Sequence, residues 1–86
     1  MSETTQIKKY RKFAVPVTDL PGIGNVLGRR LNEAGFYEAT DVFAQYLQLR
    51  KDAKLFKEWM KHTCNASSKQ ATDCCNYLDY WCKECL

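Results

Sequence analysis

Between Thr18 and Phe36 the chain reads TDLPGIGNVLGRRLNEAGF, with Gly22 and Gly24 just before a helical pattern and Arg29 and Arg30 inside it. Glycine permits a tight hairpin with positive φ and carries no Cβ to hold a ligand off the backbone. The amides of Gly22, Gly24, Asn25 and Val26 would then converge at the positive end of a helix dipole. The chemistry that suits such a site is binding of a phosphate or another anion. Gly28 costs about 1 kcal/mol relative to alanine inside a helix, which predicts a closely packed neighbour at that point. The same residues also suit a plain turn between two helices with nothing bound.

Other side chains offer less chemistry. All five cysteines, Cys64, Cys74, Cys75, Cys82 and Cys85, lie in the last 23 residues. The CKEC stretch at 82–85 has zinc-ligand spacing, with His62 and Cys64 as conceivable partners. A second Cys-x-x-Cys pair is missing, and structural zinc takes four well-placed ligands. No metal site or cofactor is therefore assigned, and reduced core thiols are the better reading. His62 is the single histidine and sits on the polar side of its helix beside Lys61. No acid pair or nucleophile–base spacing attaches to it, so an enzyme is not expected.

Charge is placed unevenly. Residues 1–30 carry six basic side chains against two acidic ones, whereas residues 31–86 carry seven against eight. A positive N-terminal third suits a polyanion partner. It also suits a solvated charged face.

The elements that must hold these residues read as helices nearly throughout. With 86 residues, 45% of them hydrophobic and 27% charged, the composition is that of one small globular domain spanning 1–86. No apolar run approaches a membrane span, and no signal-peptide core follows Met1, so residence inside the cell is the default expectation. A first helix is expected from about Glu3 to Phe13, ending before Pro16. Asn25 is expected to cap a helix with Val26, Leu27, Leu31 and Ala34 on its apolar side, stopped by Gly35. Ala39, Val42, Phe43, Tyr46, Leu47 and Leu49 form the next stripe. Asp52 caps a helix on which Leu55, Phe56, Trp59, Met60 and Thr63/Cys64 share a face, with Lys54, Lys57, Glu58 and Lys61 outward. Asn65 tolerates a left-handed turn, and Ser67-x-x-Gln70 has the form of a capping box opening the last helix. The expected fold is an all-α compact bundle of about five helices. Its aromatic content, Trp59, Trp81, Phe56 and Tyr77, predicts some burial at a subunit interface.

Hydrophobic-x-Gly-hydrophobic-Gly followed by a helix resembles the helix–hairpin–helix motif of non-sequence-specific DNA-binding proteins. The resemblance extends over about Lys9 to Leu86. It rests on PGIGNVLGRRLNEAGF at 21–36, QYLQLRKDAKLFKEWMKHTC at 45–64, KQATDC at 69–74 and LDYWCKECL at 78–86. Taken together in this order and spacing, these segments resemble the barrier-to-autointegration factor family, whose fold is SAM-like.

The resemblance implies a homodimer that binds double-stranded DNA without reading its sequence, and that bridges two duplexes because the two subunits present their hairpins on opposite sides. It implies DNA contacts at Lys9, at Gly22, Ile23, Gly24, Asn25, Val26 and Leu27, and at Ser68, Lys69 and Gln70. It implies a dimer contact involving Trp59, Leu78 and Trp81, any of which could equally serve the core of one chain. A groove for LEM-domain proteins of the inner nuclear membrane would include Phe43, Ala44, Gln48 and Leu55. Lamins and histones are further implied partners, and the implied location is chromatin and nuclear envelope together with cytoplasm. Phosphorylation near the N-terminus, at Ser2, Thr4 or Thr5, would set a charge near −2 beside Lys8, Lys9 and Lys12 and compete with DNA. This chain departs from the family in several places, among them an N-terminus about three residues longer and a region, 74–86, rich in Cys and Tyr. Gln48 replaces an aliphatic residue, Asp41 adds a charge near it, Thr72 replaces an arginine, and the loop between Phe13 and Gly22 is about six residues shorter. A protein-interaction adaptor that kept the fold and dimer with reduced DNA bridging is the alternative reading.

Overall fold

The computed structural model describes residues 14–85. Among them a 3-10 turn, Val17–Asp19, precedes four helices: α1 (Asn25–Glu33), α2 (Ala39–Gln48), α3 (Ala53–Cys64) and α4 (Ser68–Cys85). The all-α class is as the periodicity predicts. The helix expected over Glu3 to Phe13 lies outside the described residues, as do Lys9, Ser2, Thr4 and Thr5.

Helix ends follow local chemistry. Asp52 accepts a hydrogen bond from the amide of Leu55 at 3.1 Å and so caps α3. At the other end of α3, Asn65 adopts φ +57, and the amide of Ala66 reaches back to the carbonyl of Met60 at 3.4 Å. Gly35, at φ +95, ends α1 in the same way, with the Phe36 amide donating to Leu31 at 2.8 Å. Asp41 accepts from the amides of Tyr37 and Glu38 at 3.0 and 2.9 Å. Its charge is thus committed to the start of α2. The α2–α3 connection holds Arg50 and Lys51 at φ +59 and +60, a left-handed pair in non-glycine residues.

One sequence expectation shifts by a residue. Gly24, not Asn25, is the N-cap of α1: its extended backbone (φ −91, ψ −168) marks the last non-helical position, and Asn25 is already helical. Three apolar expectations also change. Val26 is 53% exposed and Leu55 47% exposed, so neither joins the core. Each sits in the first turn of its helix and points away from the neighbours that bury Leu27, Leu31, Phe56 and Met60. Ala34 is the C-cap of α1, past its last helical turn, and is exposed.

The buried residues form one cluster contributed by all four helices and the 3-10 turn. α3 packs on both α4 and α1, while α2 packs on α4. Tyr46 and Phe56 meet edge to face, with centroids 5.3 Å apart. The Tyr46 hydroxyl donates to Asp79 at 3.3 Å, and Asp79 pairs with Lys83 at 3.1 Å. Residues 15–17 run antiparallel to 37–39, joined by Val17 N–H to Tyr37 carbonyl at 3.1 Å and Ala39 N–H to Val15 carbonyl at 2.7 Å. This short pairing ties the segment before the hairpin to the start of α2. Cys64, Cys74, Cys75 and Cys82 are free thiols inside the core, and burial pushes Cys74 up to about 12.

Candidate nucleic-acid interface

The hairpin before α1 is a β-turn closed by the Ile23 amide donating to the Leu20 carbonyl at 3.1 Å. Gly22 takes φ +81 in this turn. A Cβ built there would lie 2.7 Å from the carbonyl oxygen of Gln70 and 3.1 Å from its Cα. Only glycine allows the hairpin to seat this closely on the first turn of α4. Two segments almost fifty residues apart in sequence thereby become one surface.

Each contributes open backbone donors. Helix geometry leaves the amides of Asn25, Val26 and Leu27 without an acceptor on α1, and no side chain caps that end. Around Gly24 the space is empty: a Cβ would find nothing within 4 Å. At α4 the amide of Gln70 donates to Ser67 Oγ at 3.2 Å, while Gln70 Oε1 accepts from the Ser67 amide at 2.8 Å. That capping box consumes the Gln70 amide and leaves those of Ser68 and Lys69 facing outward. Both helix dipoles place positive potential at the same surface.

Individual residues therefore divide into two roles. Gly24, Asn25 and Val26 are exposed at the α1 start, and Ser68 and Lys69 are exposed at the α4 start. Ile23 and Leu27 are buried and anchor the hairpin in the core. Gln70 spaces the two segments and caps α4. The two arginines that looked suggestive in the sequence are engaged within the chain. Arg30 Nη1 donates to the Cys64 carbonyl at 3.1 Å, and Arg29 lies 4.0 Å from Glu33. The predicted tight neighbour of Gly28 is Thr18, whose Cγ2 would be 2.5 Å from a Cβ there.

The remaining site residues scatter more widely. Leu78 is fully buried within the chain, so its side chain belongs to the intrachain core rather than to a contact surface. Trp59 is half-buried against Phe36, with centroids 5.0 Å apart, and Trp81 is half-buried between Tyr77 and the exposed Tyr80. Phe43 is likewise core, whereas Ala44, Gln48 and Leu55 are exposed. His62 is exposed on the last turn of α3. Among the described residues, no group of three or more His, Cys, Asp or Glu side chains could hold a metal ion, and no helix is long and apolar enough to cross a membrane.

The family model of barrier to autointegration factor matches residues 7–85. The chain belongs to the barrier-to-autointegration factor family. It is 53% identical over 92 aligned positions to the Drosophila melanogaster barrier-to-autointegration factor, covering all of both chains. It is 46% identical to the Homo sapiens protein over 91% of this chain and 94% of that one, and 47% identical to the Danio rerio protein over the whole of both. Within this family member, the paired helix starts are the feature that sequence alone placed far apart. Their contact is long-range: beyond the locally legible turn at Asn65, it depends on how α3 and α4 pack.

Proposed function

We propose that this chain is a chromatin protein that binds double-stranded DNA through the phosphate backbone, independent of sequence, and acts as a homodimer that bridges duplexes. The observation that carries the reading is the seating of Gly22 on Gln70, which joins the open amides of Asn25, Val26 and Leu27 to those of Ser68 and Lys69. Backbone amides and lysines position a protein on phosphates without reaching base edges. Membership of the barrier-to-autointegration factor family supports the same reading. The function is non-enzymatic, and residues 1–86 act as one domain.

The dimer contact is assigned to Trp59 and Trp81, whose indoles are only half-buried in one chain, with Tyr80 beside Trp81. Ala44, Gln48 and Leu55 are offered as the exposed part of a groove for LEM-domain proteins of the inner nuclear membrane. Lamins and histones complete the proposed partners, in nucleus and cytoplasm, with Lys9 as a further DNA contact and Ser2, Thr4 and Thr5 as phosphorylation sites that weaken DNA binding.

The test is a gel-shift and light-scattering comparison of the parent protein with Gly24→Glu. Gly24 has open space and ordinary φ, so the substitution leaves the fold intact while placing a carboxylate against the amides. The expected outcome is sequence-independent binding and aggregation of long duplexes by the parent, both lost in the variant with helicity unchanged. Normal binding by Gly24→Glu, or strong preference for one duplex sequence, would sink the reading. Binding by the parent without aggregation would favour the adaptor.

A further inference from the structure

Five of the seven basic residues beyond residue 30 fall between 50 and 61. Lys54, Lys57 and Lys61 are spaced by three and four residues and so share one face of α3. Arg50 and Lys51 precede them in the left-handed turn. Of the two acidic residues in the same stretch, Asp52 is committed to capping α3, and only Glu58 lies near the lysines. Among the described residues none of the five cations makes an ion pair; the two ion pairs found involve Arg29 and Lys83.

This face is continuous with the paired helix starts. A cleft of about 280 Å³ separates α3 from the beginning of α4, and Lys57, Glu58 and Lys61 form one wall of it. Ser67, Ser68 and Thr72 belong to the other. Ser68 also borders Gln70, on which Gly22 rests. The α3 lysines therefore reach the cleft that borders the α4 start, with Glu58 the one acidic side chain on that wall.

We infer that the α3 face is a second track for the phosphate backbone of the same duplex, extending the footprint beyond the paired helix starts; this rests on the DNA reading above. From Lys54 to Lys61 the helix rises about 10 Å, at 1.5 Å per residue. That is the axial span of about three base pairs at 3.4 Å per nucleotide of one strand. The face suits a polyphosphate better than a protein. Protein interfaces are centred on aromatic or apolar anchors, and here Phe56 and Met60 are turned into the core, while the far wall of the cleft holds only the small side chains of Ala66, Ser67, Ser68, Ala71 and Thr72. Contacts of this type are electrostatic and release counterions, so each one steepens salt dependence.

The experiment measures duplex affinity of the full chain against salt concentration for the parent, Lys54→Gln/Lys57→Gln/Lys61→Gln, Glu58→Gln and Gly24→Glu, with circular dichroism on each. Each engaged lysine contributes about 0.9 to the slope of log affinity against log salt. The triple variant is expected to bind with a slope less negative by about 0.9 to 2.7, with helicity retained. Glu58→Gln is expected to bind more tightly than the parent. An unchanged slope in the triple variant overturns the second track, even where Gly24→Glu abolishes binding and so supports the paired helix starts. Loss of binding to a poly-glutamate peptide with no change toward DNA would assign the face to an acidic protein and equally overturn it. Absence of duplex binding by the parent sinks both readings together.

Discussion

Replacing Gly22 by alanine should do far more damage than the same change two residues later. At Gly22 the cost has two parts. A left-handed φ of +81 costs an L-residue about 1–2 kcal/mol. The added Cβ lies 2.7 Å from a backbone carbonyl that cannot rotate away, and overpacking of this kind costs about 1–3 kcal/mol. The sum is about 2–5 kcal/mol, a large fraction of the roughly 5–15 kcal/mol that stabilises a small domain. At Gly24 the φ is ordinary and the space is open, which leaves only the poorer N-cap quality of alanine, roughly half to one kcal/mol. In a domain of this size each kcal/mol lowers Tm by about 4–8 °C. Thermal melts followed by circular dichroism should therefore give a fall of at least about 8 °C for Gly22→Ala and about half that or less for Gly24→Ala. Duplex affinity, measured at a temperature where both variants are folded, should fall for Gly22→Ala because the hairpin must lift from α4. Equal melting points for the two variants would refute the close approach and the shared surface built on it.

Other perturbations test separate parts of the chain. Gly28→Ala gains about 1 kcal/mol of helix propensity but meets Thr18 Cγ2, so it should be close to neutral alone and stabilising when combined with Thr18→Ser, read by urea unfolding. Arg30→Ala should cost about 1 kcal/mol by removing the hydrogen bond to the last carbonyl of α3, whereas Arg29→Ala, whose partner is exposed and 4.0 Å away, should change stability by less than about 0.5 kcal/mol. Cys74 is raised from 9.0 to about 12 by burial, and Tyr46 from 10.0 to about 12 by burial and then by Asp79. Raised folded values keep their stability below the unfolded pKa and lose it as pH climbs, so urea midpoints should hold up to about pH 9 and decline toward pH 12. Cys74→Ala should make that decline shallower, most clearly just above pH 9, where the unfolded tyrosine is still neutral.

Much of this molecule is legible from short-range chemistry. Asp52, Asn65, Gly35 and the Ser67–Gln70 pair each do locally what their types suggest, because caps and left-handed turns depend on neighbours within a few residues. The cost of Gly28 correctly signals a tight contact, though not that Thr18 makes it. Asn25 misleads because it is a good capping residue by type, while the extended backbone at Gly24 ends one position earlier. Leu78 and Phe43 are apolar at helical spacing, and such spacing cannot tell an inward face from an interface. The basic face of α3 disappears when charge is averaged over residues 31–86, since acids elsewhere cancel it. Most important, the contact of Gly22 with Gln70 joins positions separated by three helices, and it depends on how α3 and α4 pack.

The central claim is that the starts of α1 and α4 bind phosphates through backbone amides. Amide chemical shifts of the isotopically labelled protein, followed while short duplex DNA is added, test it residue by residue. The expected result is the largest shifts at Gly24, Asn25, Val26, Ser68 and Lys69, the same for duplexes of unrelated sequence. Shifts that bypass both helix starts would contradict the account.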